Sequence, residues 1–144
     1  MKLATLKEKL QTIDETDIGE VYFDLKEINA VSYETKYPVI FWDLGIATFT
    51  GDIDEATIQK VELLNTAVWA FARYDYNVMD RIAEWDILKS KFYVYLNLIH
   101  KISGLNIKNI RTIKIQLIPE GVIQNNSQIG ILIESIQLEL TCNV

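Results

Sequence analysis

Apolar residues recur along this chain with two periods, and the switches between them divide it into elements. Between Lys2 and Ile13, residues Leu3, Leu6, Leu10 and Ile13 fall three or four apart, while Lys7, Glu8 and Lys9 face away. This predicts a short amphipathic helix. The acidic stretch from Asp14 to Glu20, which contains Gly19, breaks the stripe and reads as a solvated loop. From Glu20 the period drops to two. Val21, Phe23 and Leu25 alternate with Tyr22, Asp24 and Lys26, as in a half-buried strand. A second strand is expected over Tyr37 to Leu44, with Pro38 near its start, where a strand tolerates proline. Val39, Phe41 and Asp43 would share one face and Ile40, Trp42 and Leu44 the other, so this strand should be covered on both sides.

The stretch Gly45 to Ala56, with Thr48, Thr50, Gly51, Asp52, Asp54 and Glu55, predicts a polar loop between strands. Over Thr57 to Tyr74, residues Val61, Leu63, Ala67, Trp69 and Phe71 keep one parity, interrupted at Asn65, and Val68, Trp69 and Phe71 favour a strand. A long strand is the expectation here, because the apolar positions would not keep to one stripe of a helix. Then comes the strongest helical pattern. Ile82, Trp85, Leu88, Phe92, Tyr95, Ile99 and Ile102 follow one another at three and four, with Asp75 or Asn77 available as a cap and Asp80 in the first turn. His100 and Lys101 occupy the last turn and Gly104 supplies the stop, giving a helix over 78–102.

Beyond it, Ile113, Ile115 and Leu117 alternate with Lys114 and Gln116 as a strand that ends at Pro119. A turn-rich stretch from Glu120 to Gln128, with Gly121, Asn125 and Asn126, leads into a last strand from Ile129 to Cys142. Its alternation slips. Ile129, Ile131 and Ile133 hold one parity, and Ile136, Leu138, Leu140 and Cys142 the other. The slip predicts either a bulge near Ser135 or a strand buried on different faces at its two ends. Strands running consecutively before a helix indicate the α+β class: a mostly antiparallel β-sheet packed against one long helix and a short N-terminal helix.

Length and composition narrow the function classes. At 144 residues, 49% hydrophobic and 24% charged, the chain is expected to fold as a single domain with a core of its own. Its net charge of −6 argues against nucleic-acid binding, which needs a dense basic face, and against anionic membranes. The longest apolar run, Ala67 to Ala72, is too short to span a bilayer, and Lys7, Glu8 and Lys9 interrupt any leader-like segment. The one cysteine, Cys142, precludes an internal disulfide and reads as a packed side chain.

Candidate chemistry is sparse. His100 is the only histidine, so any nucleophile–histidine arrangement would have to use it, and its place at a helix end has a sufficient structural reason. Neither H-E-x-x-H nor C-x-x-C occurs. Asp52, Asp54 and Glu55 lack the spacing of a calcium loop, and the six glycines form no phosphate-cradling motif. No cofactor, metal or catalytic residue is therefore expected. The chain is read as a non-enzymatic protein whose surfaces serve other chains.

In element order and in two stretches, the chain resembles the tail terminator proteins of long-tailed bacteriophages. The features are the short N-terminal helix, the Val21 to Leu25 strand, the Y-P-V-I-F-W strand at Tyr37 to Trp42, and the long strand Val61 to Tyr74 running into the helix 78–102. The last strand, Glu134 to Cys142, completes them. The resemblance implies one terminator-like domain over 1–144 and a homo-oligomer, a hexameric ring on the tail tube. Such a ring ends tube polymerisation and faces the head connector, within a virion assembled in the host cytoplasm. The tube protein and the connector proteins would be its partners, and an acidic pore would let DNA pass without sticking. Two other readings stay open: another head–tail joining or tail-completion protein, and a small intracellular enzyme or ligand-binding domain. On the ring reading, contacts are expected in the loop 45–56, at Asp52, Asp54 and Glu55, and in the hairpin 119–128, at Glu120, Gln124, Asn125 and Asn126.

Overall fold

The computed structural model describes residues 2–13, 16–24, 36–50, 61–75, 77–119 and 128–141; at 46–50, 61–62 and 141 the description is of the backbone. Among the described residues, six strands form one mixed sheet, curled into a half-barrel, and two helices accompany it in an α+β fold. In chain order the elements are α1 (Leu3–Gln11), β1 (Glu20–Tyr22), β2 (Val39–Thr50), β3 (Val61–Arg73), α2 (Arg81–Ile99), β4 (Leu105–Ile107), β5 (Gln116–Ile118) and β6 (Gln128–Thr141). The sheet runs β1-β2-β3-β6-β4, with β5 also on β6. β1 lies parallel to β2, and the pairs β2–β3, β3–β6, β4–β6 and β5–β6 are antiparallel.

The sheet's inner face and the buried stripe of α2 enclose the main core. Ile40 and Trp42 of β2, Leu64, Val68 and Ala70 of β3, and Ile131 and Ile133 of β6 pack with Leu88, Phe92, Tyr95, Leu96 and Ile99 of α2. Leu6 and Leu10 of α1 close one side of it. Val39, Phe41 and Phe71 form a second cluster on the opposite face of the sheet. β2 is therefore covered on both sides, with its two parities divided as expected between the clusters.

The parity slip in β6 is a bulge. Ile136 pairs with Thr66 and Ile133 with Val68, so Glu134 and Ser135 together oppose Ala67. The extra residue restores phase: Ile129, Ile131 and Ile133 before it, and Ile136, Leu138 and Leu140 after it, are all fully buried. Asn109, in the β4–β5 connection, holds the strand there. Its Nδ2 donates to the Ser135 carbonyl at 3.1 Å, and its Oδ1 accepts from the Gln137 amide at 3.0 Å. These bonds satisfy backbone groups next to a break in the ladder.

Several sequence expectations are corrected. Gly45 to Thr50 is not loop but the second half of β2, paired with β3 from Ala47↔Leu64 to Thr50↔Val61. Gly45 marks a bulge in which Gly45 and Ile46 oppose Asn65. A Cβ at Gly45 would lie 2.7 Å from the Asn65 carbonyl oxygen, so the glycine permits close backbone approach rather than a turn. In β3 the favoured parity of Leu63, Trp69 and Phe71 points away from α2, and the smaller set Leu64, Thr66, Val68 and Ala70 meets the core. α2 starts at Arg81 because Asp80 is itself the cap, accepting from the Ile82 amide at 3.1 Å. Asp75 instead holds a preceding turn, its Oδ1 accepting from the Asn77 amide. Past α2, Gly104 has a φ of 81° and turns the chain into β4, a strand too short to show a period. The strand expected from Ile113 begins at Gln116, and Ile113 and Ile115 pack on the core as irregular chain.

Candidate interaction surface

A buried polar relay fixes how the helices sit. Trp42 Nε1 donates to the Tyr95 hydroxyl at 3.0 Å, and that hydroxyl donates to the Leu10 carbonyl at 2.9 Å. One tyrosine thus links β2, α2 and the C-terminal half of α1, and every polar atom in the relay is satisfied. Burial pushes the Tyr95 phenol well above its ordinary range, and the Trp42 hydrogen bond offsets part of the rise. The relay holds a neutral hydroxyl; it is a structural device rather than an acid or base.

On the opposite face, Trp69 stacks on Phe71 with ring centroids 5.9 Å apart, and Arg73 lies 5.2 Å over the Tyr37 ring. Gln128, itself buried, donates to the Tyr37 hydroxyl. These contacts join the ends of β2, β3 and β6.

α2 is apolar beyond its buried stripe. Ile82 is 67% exposed, Ile87 49% and Val94 48%, and Tyr93 is also exposed. Val78, just before the helix, is exposed as well. Residues 87, 91, 94 and 98 succeed one another at four, three and four, so Ile87, Lys91, Val94 and Leu98 form a second stripe beside the buried one. A helix apolar around most of its circumference is expected to be buried or to meet another chain. The sequence carried this signal in the apolar residues that its main stripe left out, Ile87, Val94 and Leu98 among them. Two shallow clefts mark the ends of the second stripe. One, of about 160 Å³, includes Ile87 and Lys91 together with Tyr37, Pro38 and Arg73. The other, of about 390 Å³, includes Leu98 and Lys101 with Lys9 and Ile13.

The residues expected to make partner contacts, Asp52, Asp54, Glu55, Glu120, Gln124, Asn125 and Asn126, lie outside the described residues, as does Cys142. His100 closes the end of α2 and its Nδ1 donates to Asn106 Oδ1 at 2.6 Å, binding the helix end to β4. Among the described residues no group of three His, Cys, Asp or Glu side chains could hold a metal ion, and no helix is long and apolar enough to cross a membrane. No protein-family model matches the chain, and no curated protein matches it at a significant level.

Proposed function

We propose that this chain is a structural protein of the phage tail terminator kind, forming a ring that caps the tail tube, ends its polymerisation and joins the tail to the head connector. The observation that supports this most is α2. It packs a full stripe into the core and still presents Ile82, Ile87, Tyr93 and Val94 to the outside. Such apolar area suits a protein that functions by meeting other chains. The finer architecture, a mostly antiparallel sheet laid on one long helix, is supported by four antiparallel pairings against one parallel pairing and by the 19 residues of α2 against 9 in α1. The partners are then further copies of the chain, the tube subunit and the connector, and the protein is not an enzyme.

Electron microscopy of tail tubes polymerised with and without the purified protein tests this reading. Tubes grown with it should be shorter and carry ring density at one end only. Tubes of unchanged length with bare ends would overturn the assignment. Deleting 121–127 should preserve the circular dichroism spectrum and abolish capping.

A further inference from the structure

The second stripe of α2 has a spacing that reads the same in both directions. Glu84, Ile87, Lys91, Val94, Leu98 and Lys101 follow at three, four, three, four and three. Lys101 keeps to the helical path, because its amide donates to the Leu98 carbonyl at 3.0 Å. Such an alternation is the seam along which two helices pack side by side. Laid antiparallel on a second copy, each position of the seam meets another position of it: Ile87 faces Leu98, Lys91 faces Val94 and Glu84 faces Lys101. Glu84 and Lys101 make no ion pair among the described residues; the ion pairs found there are Lys89–Asp86 and Lys108–Glu139.

The charges select one of the two arrangements that a two-fold axis allows. With the axis along the helices the copies run parallel, and Glu84 meets Glu84, Lys91 meets Lys91 and Lys101 meets Lys101. With the axis across them the copies run antiparallel, and opposite ends meet. The N-terminal end carries two carboxylates, Glu84 and, one turn earlier, Asp80, against one cation in the same cleft, Arg73, which lies 5.2 Å over the Tyr37 ring. Arg81 is drawn the other way, over the Trp85 ring at 5.1 Å. The C-terminal end carries Lys101 and Lys9, which share a cleft with Leu98 that no carboxylate lines. Lys91, in the middle, is the discordant member: its two copies would lie within about one helical turn of each other. A lysine in such a seam costs stability and favours a single register. We propose that the Glu84–Lys101 stripe of α2 pairs with the same stripe of a second copy, antiparallel about a two-fold axis between Lys91 and Val94. The contact closes at two copies, so it neither requires nor supplies the ring, which the capping experiment tests on its own.

Sedimentation velocity on the purified protein tests this pairing, over about 10–500 μM as suits a small interface. The wild-type protein should pass from monomer to dimer across that range. Glu84→Lys and Lys101→Glu should each weaken the dimer at least about tenfold, since each sets like charges together twice per dimer. Mixed in equal amounts, the two variants should associate nearly as well as the wild type, because their heterodimer restores opposite charges at both ends. Val94→Asp should weaken the dimer at least about tenfold, and Lys91→Leu should tighten it at least about threefold. Circular dichroism reports whether each variant folds, and Val94→Ser replaces Val94→Asp should the latter fail to do so. A wild-type protein that is monomeric throughout the range would overturn the proposal. So would single variants that dimerise as the wild type does, or a mixture that stays as weak as its two components.

Discussion

The two sides of α2 are similar in composition and opposite in fate. One side carries Leu88, Phe92, Tyr95 and Ile99, all with almost no exposure, and a hydroxyl whose partners are both specified. The other carries Ile87 and Val94, half exposed, with a lysine between them. Apolar character alone therefore does not place a residue in the core. The neighbouring strands do, by supplying Trp42, Val68 and Ile133 opposite the first side; among the described residues the core cluster includes neither Ile87 nor Val94. The first side determines stability, and the second stays exposed.

The comparison can be broken most forcefully at Phe92. Phe92→Ala should cost about 3–5 kcal/mol, because the fully buried ring leaves a cavity between helix and sheet; urea unfolding measures it. Tyr95→Phe removes only an oxygen, yet it strands the Trp42 N–H without an acceptor and the Leu10 carbonyl without a donor. A loss of about 1–3 kcal/mol is expected. The same residue predicts a pH effect. Burial raises the folded-state pKa above the ordinary value of 10.0, so the stabilising contribution is complete below that pH. It declines above it, because the unfolded chain ionises first. Unfolding midpoints should fall between about pH 9 and pH 11 in the wild-type protein, and fall less in Tyr95→Phe.

Asn109→Ala tests a polar clasp away from the helix and should cost about 1–2 kcal/mol, since it releases two backbone groups at the β6 bulge. Hydrogen exchange should quicken first at Gln137. The smallest effect is expected on the exposed side: Val94→Ser should shift the unfolding free energy by no more than about 0.5 kcal/mol. A loss there as large as that of Phe92→Ala would erase the distinction between the two sides.

Much of this was legible in the residues. The i, i+3, i+4 run read from Ile82 to Ile102 identified the buried side of α2 from Leu88 to Ile99 but wrongly included Ile82, which is exposed. Of the two readings of the parity slip in β6, the bulge near Ser135 is the one found. What failed did so for identifiable reasons. Gly45 resembles a turn signal and is instead the point where two backbones approach, a distinction set by the position of Asn65 across the ladder. β4 has three residues, too few to show a period. β3 turns its smaller residues inward because α2 lies close on that face, and its own alternation carries no information about distance. The relay through Tyr95 joins positions 85 residues apart, which no local pattern reveals. The partner-contact residues expected from loop composition lie outside the described residues, while the apolar surplus of α2 lies within them.

The two bulges lie on opposite flanks of β3, one facing Asn65 and the other facing Ala67. This alignment restricts how the chain can change in length over evolutionary time. Removing a single residue from β6 near Ser135 would turn either Ile129, Ile131 and Ile133 or Ile136, Leu138 and Leu140 out of the core. Removing one from β2 near Gly45 would force the same choice on that strand. Insertions and deletions are therefore tolerated between the strands and excluded from the middle of them, so the lengths of β2 and β6 should stay fixed where loop lengths drift.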